Sequence, residues 1–436
     1  MRIRANRDFW IHPLTLFASV WLLSFGLYAL HLSDLLIVDV SVERRILMWI
    51  LTPFFAIVVW IRLVCWLAPK REGHPISSYQ PDASQSQRLE RSLHRWFLLW
   101  LTLTFVEVII GRGLPILWLF ERSARKYNDF GLPFVHVFIA TLLSVIAMGN
   151  LALFLLQGGR RRLIIPLFQI VWAIFIVSRG LMMVALLQYL VLWLCIRGMT
   201  FKIFLRTIIS TTLVVLLFGY LGDLRSGSHE FKSLAQPTSN YPDWLPSGVL
   251  WFYIYLTSPL DNLGNTAITR TSEHNILFPR TTYFLYPTPL RQAIFGKDSN
   301  LGRDSDLVES SLNVSSAYIG PYVDYGFLGI AAYSMLLATI SSLVWRIRKN
   351  IRGMLLYTLV AQCLVFSVFY NFLFYNPFLG QVFWIFLIFS QRTLVPLPIA
   401  RRSFAPVVAK QTLEASKVAA HVGLLKHTDN FLEPVS

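Results

Sequence analysis

The sequence predicts an all-α polytopic membrane protein of about ten membrane-crossing helices with one large external loop. Three observations predict it. Hydrophobic residues make up 55% of the chain and charged residues 14%, with a mean hydropathy of +0.55, whereas roughly 25% of residues are charged in soluble domains. Apolar runs near the ~20 residues that cross a hydrocarbon core recur along the chain. Lys and Arg cluster at alternate ends of those runs, as retention of positive loops in the cytoplasm requires.

The runs are Ile11 to Leu32, Ile46 to Leu67, Trp96 to Ile110, Leu132 to Leu156, Leu163 to Val177, Leu181 to Ile196, Ile203 to Leu221, Tyr318 to Trp345, Met354 to Tyr375 and Leu379 to Val395. The basic clusters at Arg2 to Arg7, Lys70 to Arg95, Arg160 to Arg162, Arg197 to Arg206, Arg346 to Arg352 and Arg401 to Arg402 all fall on one side of these spans. Both termini are therefore expected inside. Residues 1–221 carry the first spans, 222–317 form the large outer loop, 318–395 carry the last spans, and 396–436 form a cytoplasmic tail.

The formal net charge of +16 is largely topological, so nucleic acid is not expected as a partner. Cys65, Cys195 and Cys363 lie inside spans without metal spacing or a disulfide framework and read as packing residues. The first apolar run is too long for a signal core and lacks Ala-x-Ala cleavage chemistry, so it is expected to be retained. No solenoid-length repeat and no duplicated half is visible.

Gly222 to Ala317 is out of scale, on the order of ninety residues. Its aromatics, among them Trp244, Trp251, Tyr253, Tyr255, Phe278, Tyr283, Phe284 and Tyr286, argue for order. Val249 to Leu256, bracketed by Pro246 and Pro259, suits a re-entrant or interfacial helix.

The chemistry is expected at the outer boundary. In Val177-Ser178-Arg179-Gly180, Arg179 is pinned between two apolar runs on the side that normally avoids Arg, where a guanidinium can grip a phosphate or snorkel to headgroups. Arg112, Arg225, Arg280, Arg291, Lys297 and Arg303 face the same side, opposed by a nearly equal number of acids, so topology does not explain them. Arg225 lies within a turn of a span end, and Arg291 follows Pro287 and Pro289 in an aromatic stretch. Glu107, inside the third run, has Arg112 as its expected local partner, as a structural pair or a proton-handling group. His229 is a candidate base near neutral pH or a solvated loop residue. Asp304-Ser305-Asp306 reads as a solvated turn, and Asn313-Val314-Ser315 abuts a span too closely to read as a glycosylation acceptor. Asp324 is a carboxylate at a membrane entrance, which is costly without a wet or paired environment.

Three segments carry a resemblance: Val177 to Gly180, Tyr253-Ile254-Tyr255-Leu256-Thr257-Ser258-Pro259-Leu260-Asp261-Asn262-Leu263, and Asn313 to Ser316 with Pro321-Tyr322-Val323-Asp324-Tyr325-Gly326-Phe327-Leu328-Gly329. Together they resemble the Wzy-type O-antigen polymerase family, with Tyr325 where the family pattern usually has Phe. The resemblance implies a bundle related to the second GT-C glycosyltransferase class, in the bacterial inner membrane, with the large loop in the periplasm. It implies a metal-free and cofactor-free glycosyltransferase that extends glycan on undecaprenyl diphosphate, beside a flippase and a chain-length regulator. It makes Arg179, Arg225, Arg280 and Arg291 the diphosphate-binding residues, with Asn313 and Tyr322 in the substrate site. A diphosphate leaving group needs positioned donors, and the acceptor hydroxyl needs a base. Asp324, Asp223 and His229, in that order, are the candidates for the base. An O-antigen ligase, with His229 as catalytic His, and a flippase or transporter are the alternatives.

Overall fold

The computed structural model describes residues 9–67, 83–120, 130–132, 135–202, 205–209, 212–213, 216, 232–286, 288–296, 306–309, 312 and 314–389. All belong to one compact unit, 1–71 with 81–396; the second unit, 72–80 with 397–436, lies outside them. Among the described residues the molecule is helical, with a lone bridge between Ser33 and Pro237.

The helices are α1 (Pro13–Tyr28), α2 (Val40–Leu67), α3 (Ala83–Ile110), α4 (Pro115–Phe120), α5 (Val135–Gln157), α6 (Ile164–Phe175), α7 (Arg179–Arg197), α8 (Ser247–Thr269), α9 (Pro279–Thr282), α10 (Thr288–Phe295), α11 (Ile319–Ile347), α12 (Ile351–Phe366) and α13 (Asn376–Ile388). Five stretches are long and apolar enough to cross a membrane: Val40–Cys65, Gln85–Trp118, Val135–Gln157, Gly180–Arg197 and Ile319–Ile347. The protein is thus a helical membrane protein. Three further apolar helices, α1, α12 and α13, are shorter. The expected run Leu163 to Val177 is divided between a 3-10 turn, Arg160–Leu163, and the twelve residues of α6. Most of the expected run Ile203 to Leu221 lies outside the described residues.

Helix α5 is the axis of one half of the bundle. It is buried along most of its length, including Leu142, Val145, Ile146, Ala147 and Met148, and it packs on α3, α6, α7 and α13. Small residues let the last of these approach closely: a Cβ on Gly380 would meet Thr141 Oγ1 at 2.7 Å, and one on Gly149 would meet Phe389 at 2.8 Å. These two contacts set α5 and α13 side by side and parallel.

The expectation of a short helix ending at Pro259 is corrected: α8 runs through Pro259 to Thr269, 23 residues in all. Proline removes one donor rather than ending the helix, and the Thr257 hydroxyl bonds back to the Tyr253 carbonyl at 2.8 Å one turn earlier. Tertiary anchors hold what propensity would break. Asp261 accepts from the Tyr28 hydroxyl at 2.6 Å and from the Val38 amide at 3.0 Å, fixing α8 against the α1–α2 turn. Asn262 donates to the carbonyls of Leu312 and Val314, both at 2.8 Å, and accepts from the Val308 amide at 2.9 Å. The end of the loop is thereby tied to α8.

Candidate functional site

Helix α11 breaks at Tyr325 (φ −149, ψ 25) and Gly326 (φ 64, ψ −148). The break frees carbonyls that a continuous helix would use, and the chain ahead of α9 takes them. The Glu273 amide donates to Val323 O at 2.8 Å and the Asn275 amide to Asp324 O at 2.7 Å. Only glycine fits the Gly326 conformation at low cost. Gly329 meets a different constraint, because a Cβ there would lie 1.9 Å from the Pro321 carbonyl oxygen folded over it.

Asp324, expected as the foremost base, is fully buried and holds α9. Its carboxylate accepts from the Arg280 amide at 3.1 Å, the Thr281 amide at 2.8 Å and the Thr281 hydroxyl at 2.6 Å. Asn371 donates to the Thr281 carbonyl at 3.0 Å, and its Oδ1 accepts from the Tyr333 hydroxyl at 2.8 Å. Gly320 completes the clamp, since a Cβ there would sit 3.1 Å from the backbone of Arg280 and Thr281. Phe278, a bulky residue at φ 51 directly before Pro279, enters this clamp in a strained conformation.

The clamp presents Arg280 and, farther on, Arg291. Arg280 Nη2 lies 2.5 Å from Glu273 Oε1, with the guanidinium largely covered and the carboxylate 41% exposed. Arg291 stacks over Tyr283 at 4.5 Å and Phe284 at 5.6 Å. Phe284 in turn packs on Tyr370 and Tyr375. Arg291 therefore stands on an aromatic platform that begins three residues along the chain from Arg280, whose own guanidinium is held by Glu273. Tyr322 is buried and donates its hydroxyl to the Ala267 carbonyl at 2.9 Å, so that group fastens α11 to the end of α8.

Asp306 accepts two bonds from Arg270 at 2.8 and 3.0 Å and one from Thr269 at 2.7 Å, a structural anchor where a solvated turn was expected. Burial raises its carboxyl, but the Arg270 and Thr269 hydrogen bonds outweigh this and hold it below the ordinary carboxylate range. Among the described residues no cluster of three or more His, Cys, Asp or Glu could hold a metal ion.

A second polar group lies where α3, α5, α6 and α7 end. The expected pairing of Glu107 with Arg112 is corrected. The helix stops at Gly111, and Arg112 turns into the left-handed region (φ 52) and is exposed. Glu107, 1% exposed, pairs with His136 instead, Oε2 to Nδ1 at 3.1 Å, and accepts the Leu132 amide at 3.1 Å on Oε1. Sequence reasoning missed His136, which sits at the start of an apolar run 29 residues away. Its nearest signal was Glu107, a carboxylate that needs a partner. Phe130 meets the His136 ring edge-on at 5.4 Å and packs with Trp118, Ile176 and Leu181.

Leu181 is in the first turn of α7, so this cluster adjoins the Val177–Gly180 turn. Val177 is at φ 56, an outlier for a β-branched residue, and Ser178 caps α7 by accepting the Leu181 amide at 3.3 Å. Arg179 is the first residue of α7. Arg225, Asp223, His229 and Asn313 lie outside the described residues. Comparison with protein-family models, with curated proteins and with solved structures finds no match to this chain.

Proposed function

We propose that the protein is a glycosyltransferase that polymerises undecaprenyl-diphosphate-linked oligosaccharide repeat units at the periplasmic face of the bacterial inner membrane. In this reading the chain has ten spans in a GT-C-like bundle, both termini are cytoplasmic, and a flippase and a chain-length regulator act beside it. The observation that carries the reading is the Asp324 clamp, because it holds Arg280 rigidly next to the aromatic platform that carries Arg291. Preorganised guanidinium groups are what a departing diphosphate requires, and the half-buried aromatic rings beside them suit sugar rings.

Support also comes from the three segments of the resemblance, each of which does structural work in the bundle. Val177 to Gly180 starts α7 through a strained turn. Asp261 and Asn262 lock the loop to the bundle, and Pro321 to Gly329 form the broken helix. In this reading Asp324 positions Arg280 and is not itself the base.

The test is deletion of the gene in a host that makes the polysaccharide, followed by electrophoresis of its lipopolysaccharide. Core bearing a single repeat unit is the expected result. Unsubstituted core with retained lipid-linked polymer would identify a ligase, and unchanged polymer would overturn the proposal.

A further inference from the structure

We infer that His136, oriented by Glu107, is the base that takes the acceptor proton, an assignment that rests on the polymerase reading. Glu107 is sealed from solvent with one oxygen on the Leu132 amide and the other on His136 Nδ1. A carboxylate accepts only, so the hydrogen bond places a proton on Nδ1, and in the neutral imidazole Nε2 is then the nitrogen with the lone pair. The His136 side chain is 30% exposed, open enough for a hydroxyl to reach it. Gly131 (φ 92) wraps the Nδ1 edge so tightly that a Cβ there would lie 2.4 Å from that atom, which fixes the ring. A buried carboxylate behind a half-open imidazole is the arrangement of a positioned general base.

The dyad also lies at the same level as the arginine platform. Thr141 of α5 touches Gly380 of the parallel α13. His136 precedes Thr141, and Asn376 precedes Gly380, each by about 6–8 Å of helix rise. The Asn376 amide lies against the Phe284 and Leu285 carbonyls, in the segment over which Arg291 stacks. Of the three bases expected from the sequence, the one that is described, Asp324, has its carboxylate occupied by three donors.

In the step, the acceptor hydroxyl oxygen forms a bond to the anomeric carbon of the donor chain. The bond from that carbon to the diphosphate oxygen breaks, and its electron pair leaves with undecaprenyl diphosphate. The hydroxyl proton passes to Nε2, the imidazolium is stabilised by Glu107, and the proton is then released to water.

The experiment uses the full chain in proteoliposomes with lipid-linked repeat units as the probe. His136→Asn retains an amide that can bond Glu107 in place of Nδ1 and is expected to fold. Its polymerisation rate should fall by about 100-fold or more, with lipid-linked substrate still bound. In His136→Ala, added imidazole should restore part of the rate, which a structural role would not allow. Wild-type rate in His136→Asn, or no response of His136→Ala to imidazole, overturns the assignment while leaving the polymerase reading intact. An inactive wild type given a complete substrate set would overturn the polymerase reading itself.

Discussion

The Asp324 carboxylate and Thr281 are joined twice, by the Thr281 amide at 2.8 Å and by its hydroxyl at 2.6 Å, across 43 residues of chain. Hydrogen bonds to a buried charge contribute about 1.5–3 kcal/mol each, so this pairing is a principal reason that α9 stays on the broken helix.

Replacement of Asp324 separates positioning from proton transfer. Asp324→Asn keeps one acceptor but brings an N–H against donors, and Asp324→Ala removes all acceptors from the clamp. The expected outcome is a lowered melting temperature in both, larger for Ala. In the Asn variant, polymer formation should fall by less than the about 100-fold that loss of a general base costs. Wild-type melting with no activity in Asp324→Asn would make this carboxylate the base.

The glycines of the break should differ in how badly they tolerate alanine. Gly326→Ala forces a side chain onto φ 64 and ψ −148, a cost of about 1–3 kcal/mol. Gly329→Ala places a Cβ 1.9 Å from a backbone oxygen, an overlap that no rotamer relieves. Thermal denaturation of the purified variants should rank Gly329→Ala below Gly326→Ala. The reverse order would mean that the break relaxes around position 329.

These residues also show how far the chain could be read before its structure. The apolar runs located most helices, because burial in lipid and length are properties of a contiguous segment. The motif Pro321 to Gly329 was visible as a pattern, yet its purpose was not, since Gly329 answers to Pro321 and Asp324 to Thr281 only after the helix breaks. Pro259 misled because a local rule ended the helix where Asp261 and Asn262 hold it together from outside. Glu107 was recognisable as needing a partner, and the nearby Arg112 suggested itself while nothing local marked His136. The pairing depends on where α3 ends, a boundary that local propensity fixes poorly.

The Arg270–Asp306 pair predicts an acid-sensitive loop attachment. The folded carboxyl titrates below its unfolded value, so its contribution is complete above the ordinary value of about 4 and is lost as pH falls through the lowered one. Both side chains are about one-third exposed, which limits the pair to roughly 1 kcal/mol. Hydrogen exchange at residues 262–270 should show more protection in wild type than in Asp306→Asn at pH 7, and the difference should close below about pH 4. A difference independent of pH would mean that the carboxylate charge contributes nothing.

Arg179 offers a test in which charge and shape come apart. It opens α7 after Val177 at φ 56 and the capping Ser178, so its backbone is placed by a turn the protein maintains against strain. Arg179→Lys preserves the charge and leaves that turn untouched, but a lysine ammonium cannot present the planar fork that grips a phosphate with paired donors. The variant should fold normally and lose most of its polymer, seen as a shortened lipopolysaccharide ladder. A ladder of full length would show that position 179 needs only a positive charge facing headgroups, and would remove this residue from the diphosphate site.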